Sequence, residues 1–229
     1  MTRNVLMMVG SPRGKGSASL ALGNYLLEGL SKAGCTVSTV TLYAALATEE
    51  RERDFLRQVD QADLLVLATP LYVDSLPARV IEALELIAGY RGAQTQPRPL
   101  QFAALINCGF PEARHNESAL RICRQFARET GLEWAGGLGF GSGGVVTGQP
   151  LGREKGLLRN WTRALRLSSA ALAEGRSIPG EAEELIARPL MPKRLYTFFG
   201  NLGWWQSTPW FGLTTHFMAR PYEKPTSVQ

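Results

Sequence analysis

Hydrophobic positions along this chain of 229 residues fall into two alternating kinds of segment. Short runs dense in Val, Leu, Ile and Met recur at 4–9 (NVLMMV), 35–42 (CTVSTVTL), 63–69 (DLLVLAT), 101–107 (QFAALIN) and 132–140 (LEWAGGLGF). Between them lie longer stretches whose apolar residues return every three or four positions, the period of a helix with one buried face. Leu22, Leu26, Leu27 and Leu30 share such a face, and Gly34 suits its C-terminal stop. Further helices are predicted near 48–61, near 77–89 with Pro77 at the first position, near 115–130 and near 153–174. The uninterrupted run 63–69 suits a central strand covered on both faces, whereas glycines dilute 132–140. Five such β/α units predict an α/β protein: a doubly wound, five-stranded parallel sheet with helices on both faces. Ligands of such sheets bind beyond the carboxyl ends of the strands, where the strand order reverses. The loops 10–19, 70–76, 107–115 and 141–148 are therefore the informative ones, and the last (GSGGVVTG) is expected to be mobile.

The alternation stops near residue 175. One α/β domain is expected over 1–175, and a C-terminal extension over 176–229 made of a linker, a short helix and an aromatic arm. Residues 195–219 carry no formal charge when His216 is neutral. Their length invites a membrane span, but Gly200, Asn201, Gly203, Gln206, Ser207, Pro209 and Gly212 break it, so no span is predicted. An arm packed on the domain or on a partner subunit is the expectation. The second reading is contact with a membrane surface, suggested by three tryptophans flanked by Lys193, Arg194 and Arg220.

Apolar residues make up 45% of the chain, enough for a substantial core. A net charge of +5 favours anionic ligands. Basic residues are interleaved with acidic ones, as in RERDFLR (51–57), so no nucleic-acid partner is indicated. Cys35, Cys108 and Cys123 form no C-x-x-C pair, which argues against zinc or a cysteine-ligated cluster and for small buried side chains in a reducing compartment. The N-terminus enters a strand within four residues and lacks the architecture of a signal peptide, so a cytoplasmic location is expected. Neither His115 nor His216 has a metal-ligand partner at helical spacing.

The first loop holds the clearest chemistry. GSPRGKGSAS leaves a strand at Gly10 and opens into a helix. The first amides of a helix lack internal partners, and the helix dipole adds positive charge there. Ser11, Ser17 and Ser19 add hydroxyls and Arg13 a charged fork, so the loop reads as a phosphate cradle. It is not a P-loop: Gly10 and Gly14 are four apart, and Lys15 is followed by Gly16. Nor does it complete a dinucleotide fingerprint, since Gly14 and Gly16 are followed by Ser19 where the third glycine belongs. A plain strand-to-helix turn stays open as the alternative. After the third strand, Thr69, Pro70, Leu71 and Tyr72 expose an aromatic and a set of amides over 73–76 that could face the edge of a planar heteroaromatic ring. An ordinary proline-started turn is the other reading, and Asp74 is either a ring-edge ligand or a turn residue.

GSPRGKGSAS after a first strand, TPLYVDSLPA after a third and INCGFPEARHNESAL after a fourth together resemble the flavodoxin-like NAD(P)H-dependent FMN reductase family, over residues 3 to about 175. The resemblance implies a flavodoxin-like sheet, FMN as cofactor and NADPH or NADH as co-substrate. It implies that the FMN phosphate sits on Ser11, Arg13, Ser17, Ala18 and Ser19. The ring would be framed by Pro70, Leu71, Tyr72, Val73, Asp74 and Ser75 on one side and by Asn107, Cys108, Gly109 and Phe110 on the other. Gly141 to Gly144 would border the nicotinamide or acceptor. Apart from the resemblance, His115 starts the helix near 115–130 at the ligand edge, where it is either a contact for an acceptor or a nicotinamide phosphate or an ordinary structural residue. Hydride would pass by way of the flavin to a quinone, a nitro or azo compound, or free flavin. No side-chain nucleophile is required, and either Tyr72 or water would supply a proton. A homodimer is implied as well. The cysteine cluster of the family's iron–sulfur branch has no counterpart. The alternative is a non-enzymatic FMN-binding electron carrier or redox-sensing interaction protein, against which the positive charge balance argues.

Overall fold

The computed structural model describes residues 2–146, 151–152 and 156–207. Five strands, β1 (Asn4–Val9), β2 (Thr36–Thr41), β3 (Leu64–Pro70), β4 (Gln101–Asn107) and β5 (Glu133–Phe140), pair in parallel in the order β2-β1-β3-β4-β5. The order reverses between β1 and β3, which makes that junction the switch point of a flavodoxin-like sheet. Helical segments connect successive strands and follow the last one: α1 (Ala18–Lys32), α2 (Leu42–Ala45), α3 (Glu49–Gln61), α4 (Ala78–Gly92), α5 (Glu117–Glu129), α6 (Arg159–Ala173) and α7 (Gly180–Ala187).

Side chains of successive strand residues point to opposite faces, so each central strand feeds two cores. Val5, Met7 and Val9 of β1 with Leu64, Val66 and Ala68 of β3 pack under α1 and α6. Leu6, Met8, Leu65 and Leu67 pack on the opposite face with α3, α4 and α5. Because both faces are buried, these strands read in sequence as continuous apolar runs. Helices α1 and α6 approach closely at Gly29, where an added Cβ would overlap the Ser169 side chain.

The compact unit runs through Leu190, beyond the division expected after 175. The Ile178 amide donates to the Ala135 carbonyl (2.7 Å), and α7 buries Ala182, Leu185 and Ile186 in the α1/α6 core. Gly136 of β5, at φ 109°, leaves the room that Ile178 fills; an added Cβ there would lie 2.9 Å from the Ile178 Cβ. A second unit, 191–229, is described as far as Ser207, and its described residues contain the helix α8 (Lys193–Ser207). It runs through Gly200 and Gly203, against the expectation that these glycines break the segment. No helix among the described residues is long and apolar enough to cross a membrane.

Candidate functional site

The carboxyl end of β1 passes close to its neighbours. The Gly10 amide donates to the Ala68 carbonyl (2.9 Å), and a Cβ at Gly10 would overlap Val80 of α4 and lie 2.6 Å from Thr69 Oγ1. Only glycine lets the chain cross here into the loop. Ser11, which is buried, accepts the Arg13 amide on its Oγ (3.4 Å). A single 3-10 turn follows over Gly14–Gly16, with Gly14 at φ 55°. Ser17 caps α1, its Oγ accepting the Leu20 amide (3.1 Å). The two serine oxygens thus each accept a backbone bond, which leaves their hydrogens to donate outward. With the first-turn amides of Ala18 and Ser19, the helix dipole and the exposed Arg13 guanidinium, this donor set fits a phosphate dianion. The Ser19 hydroxyl is engaged elsewhere: it donates to Asn107 Oδ1 (2.7 Å) in a buried bond that ties α1 to the end of β4. Ser19 offers an anion its amide, not its hydroxyl.

The loops after β3 and β4 are joined, the Leu71 amide donating to the Asn107 carbonyl (2.8 Å). Tyr72 and Ser75 then exchange two bonds, amide to carbonyl in each direction (2.9 and 3.0 Å). The residues between them, Val73 (φ 49°) and Asp74 (φ 57°), both adopt the left-handed conformation. This is the geometry of a two-residue hairpin turn, usually made by Asn-Gly. Val73 is 98% exposed, so a β-branched side chain is held in a strained backbone with no burial to offset it. The bridge commits the Ser75 amide to Tyr72, which corrects the expectation that all amides over 73–76 are free. Pro70 and Leu71 are half-buried, and Tyr72 is 44% exposed.

After β4, Asn107 and Cys108 are buried while Gly109 and Phe110 are exposed. The Cys108 thiol lies 3.6 Å from the Phe110 carbonyl and 3.8 Å from that of Glu112, and accepts from Asn116 Nδ2 (3.5 Å). Burial pushes this thiol above its ordinary range, so it stays protonated. Phe110 stacks on the His115 ring (centroids 4.6 Å apart, tilted 36°), and His115 Nε2 is 3.5 Å from a Glu112 carboxylate oxygen.

Residues 141–146 brace this loop from beneath. The Ser142 amide donates to the Phe110 carbonyl (2.5 Å) and the Gly143 amide to that of Cys108 (2.7 Å). A Cβ at Gly141 would lie 2.9 Å from the Ala113 nitrogen, and one at Gly143 2.9 Å from Asn107 Nδ2. Gly141 and Gly143 serve here for close packing, which the expectation of a mobile loop did not include; residues 147 and 148 lie outside the described residues. Gly141, Ser142 and Gly143 are buried, and only Gly144 is exposed. Ser142 is left-handed (φ 60°), 1% exposed, and its Oγ has no hydrogen-bond partner among the described residues. A buried hydroxyl of that kind marks a site of interest that no spacing in the sequence signals.

Residues 3–130 match the family model for NADPH-dependent FMN reductase, a span that contains the loops after β1, β3 and β4. The chain belongs to the NADPH-dependent FMN reductase family. It is accordingly an NAD(P)H-dependent oxidoreductase with FMN as cofactor. No curated protein matches the sequence. Among solved structures, the fold is similar to that of an NAD(P)H:quinone oxidoreductase from Methanothermobacter marburgensis (TM-score 0.52, 18% identity, 75% of this chain and 96% of that chain). It is also similar to an FMN-dependent NADH-azoreductase from Bacillus anthracis in complex with FMN (TM-score 0.54, 12% identity, 75% of this chain and all of that chain, 100%). A third similar structure is rubredoxin oxygen:oxidoreductase from Desulfovibrio gigas (TM-score 0.53, 13% identity). There the match covers 82% of this chain but spans only 38% of that longer one. At such identities the likeness is one of fold.

Proposed function

We propose that this reductase passes reducing equivalents from NADPH or NADH, by way of FMN, to a planar aromatic acceptor: a quinone, a nitro or azo compound, or free flavin. One observation carries the choice. Tyr72 and Phe110, 44% and 56% exposed, stand on loops that leave adjacent strands and are joined through Leu71 and Asn107. Flat exposed rings favour flat guests, packed offset or edge-on.

In this reading Ser11, Arg13 and Ser17, with the amides of Ala18 and Ser19, hold the FMN phosphate. Pro70 to Ser75 and Asn107 to Phe110 hold the ring. When bound, FMN supplies hydride acceptance and two-electron chemistry, and the chain supplies binding, orientation and electrostatics. The amides of Val73 and Asp74 lie outside the Tyr72–Ser75 bridge, and they donate to the polar edge of the ring and stabilise negative charge there. The Tyr72 hydroxyl holds a proton beside the acceptor, a role it shares with water. Cys108 supports its loop from behind, since its thiol is occupied by Phe110, Glu112 and Asn116. A cytoplasmic homodimer belongs to the same reading, tested by fractionation and light scattering.

Anaerobic titration of the FMN-loaded protein with each nucleotide, followed by a panel of the four acceptor types, tests the proposal. Bleaching of the flavin by at least one nucleotide and its return on adding a planar acceptor is the expected result. Reoxidation by oxygen alone, with no response to any of the four, would remove the acceptor assignment.

A further inference from the structure

Helix α8 exposes what an amphipathic helix ordinarily buries. Leu195, Phe198, Phe199 and Leu202 recur at the spacing of one helical face, and Trp205 continues that stripe. Their exposures are 43, 61, 53, 37 and 64%, and the adjoining Trp204 is 71% exposed. The rings of Phe198 and Phe199 meet edge-on at 5.7 Å and form the middle of the stripe. An apolar face of this size on a single short helix marks an interaction surface.

Charge identifies what the surface meets. Between Glu184 and Glu223 the sequence contains no Asp or Glu and four cations, Arg188, Lys193, Arg194 and Arg220. The whole chain has 25 Lys and Arg against 20 Asp and Glu, so this one stretch holds most of the excess of five. Arg194 is exposed and directly precedes Leu195, the first residue of the stripe. A second copy packed parallel would bring the N-terminal cations together, whereas an anionic surface is complementary to them. The 15 described residues of α8 cover about 22 Å, and no helix among the described residues is long and apolar enough to cross a membrane. The aromatic stripe and the cationic flank are those of a helix that lies in the plane of a membrane interface.

We infer that α8 binds this protein to the surface of an anionic lipid bilayer. The stripe from Leu195 to Trp205 enters the boundary between headgroups and acyl chains, and Arg194 lies among the lipid phosphates.

Vesicle flotation of the full-length, FMN-loaded protein tests this, with phosphatidylcholine vesicles compared against phosphatidylcholine mixed with phosphatidylglycerol. The protein should float with the mixed vesicles and far less with the neutral ones, and brominated acyl chains should quench its tryptophan emission. Phe198→Ser with Phe199→Ser should weaken binding by about tenfold or more. Arg194→Gln should weaken it roughly fivefold on anionic vesicles and leave any neutral-vesicle binding unchanged. Flavin absorbance per protein, which reads the other unit, should stay that of the parent in each variant and so report correct folding. Protein left at the bottom of the gradient with both vesicle types would overturn the inference. So would flotation of the double variant equal to the parent's. A parent oligomer that the double variant dissolves, with neither form floating, would assign the stripe to a second copy and equally overturn it.

Discussion

Arg13 and Lys15 are the charged side chains of the loop after β1, and both are exposed. A charged hydrogen bond contributes about 1.5–3 kcal/mol, so Arg13→Ala should lower FMN affinity by about one to two decades, measured by quenching of flavin fluorescence on binding. An unchanged Kd would show that Arg13 does not reach the phosphate. The chemistry of Ser11, Arg13 and Ser17 was legible in sequence because it is local: a glycine, small polar residues and a helix start lie within ten positions. The role of Ser19 was not, since its hydroxyl partner Asn107 stands 88 residues away. Ser19→Ala should therefore cost stability, about 1–3 kcal/mol in urea unfolding, because it leaves the buried Asn107 oxygen without that donor. A loss of FMN affinity with stability unchanged would mean that the hydroxyl faces the ligand after all.

Elements were legible where both faces of a strand are buried, because β1, β3 and β4 then read as unbroken apolar runs. The four residues of α2 escaped notice because they continue the apolar pattern of β2 without a break. Gly200 and Gly203 misled in the other direction, since glycine disfavours a helix by only about 1 kcal/mol and α8 forms through both. The Tyr72–Ser75 turn was hidden for a related reason: Val73 and Asp74 are not residues that a two-residue left-handed turn usually employs. Val73→Asn puts a favoured residue at that position and should raise the unfolding free energy by about 1 kcal/mol. No gain would mean that the turn is relaxed as it stands.

Across the whole molecule the boundary near 190 lay beyond sequence reading, because the seating of Ile178 and α7 on β5 depends on a backbone kink at Gly136 and not on any periodicity. The three buried thiols give the molecule a common response to alkali. Burial pushes Cys123 from its ordinary 9.0 up to about 12, and Cys35 and Cys108 are also raised. Above pH 9 the unfolded chain sheds a Cys123 proton that the folded protein retains, so this contribution to stability is intact below pH 9 and is lost as pH rises toward about 12. Urea unfolding should show that decline, and Cys123→Ala should make it shallower; parallel pH profiles for the two proteins would contradict it. Saturating FMN, bound by the folded state alone, should raise the Tm.

Anchoring of FMN by its phosphate at the end of β1 is the central claim, and riboflavin, which lacks only that phosphate, isolates it. Titration of the flavin-free protein with both ligands should show FMN binding more tightly by about a hundredfold or more, since two serine hydroxyls, a guanidinium and the first-turn amides all address the missing group. Equal affinities for FMN and riboflavin would contradict it.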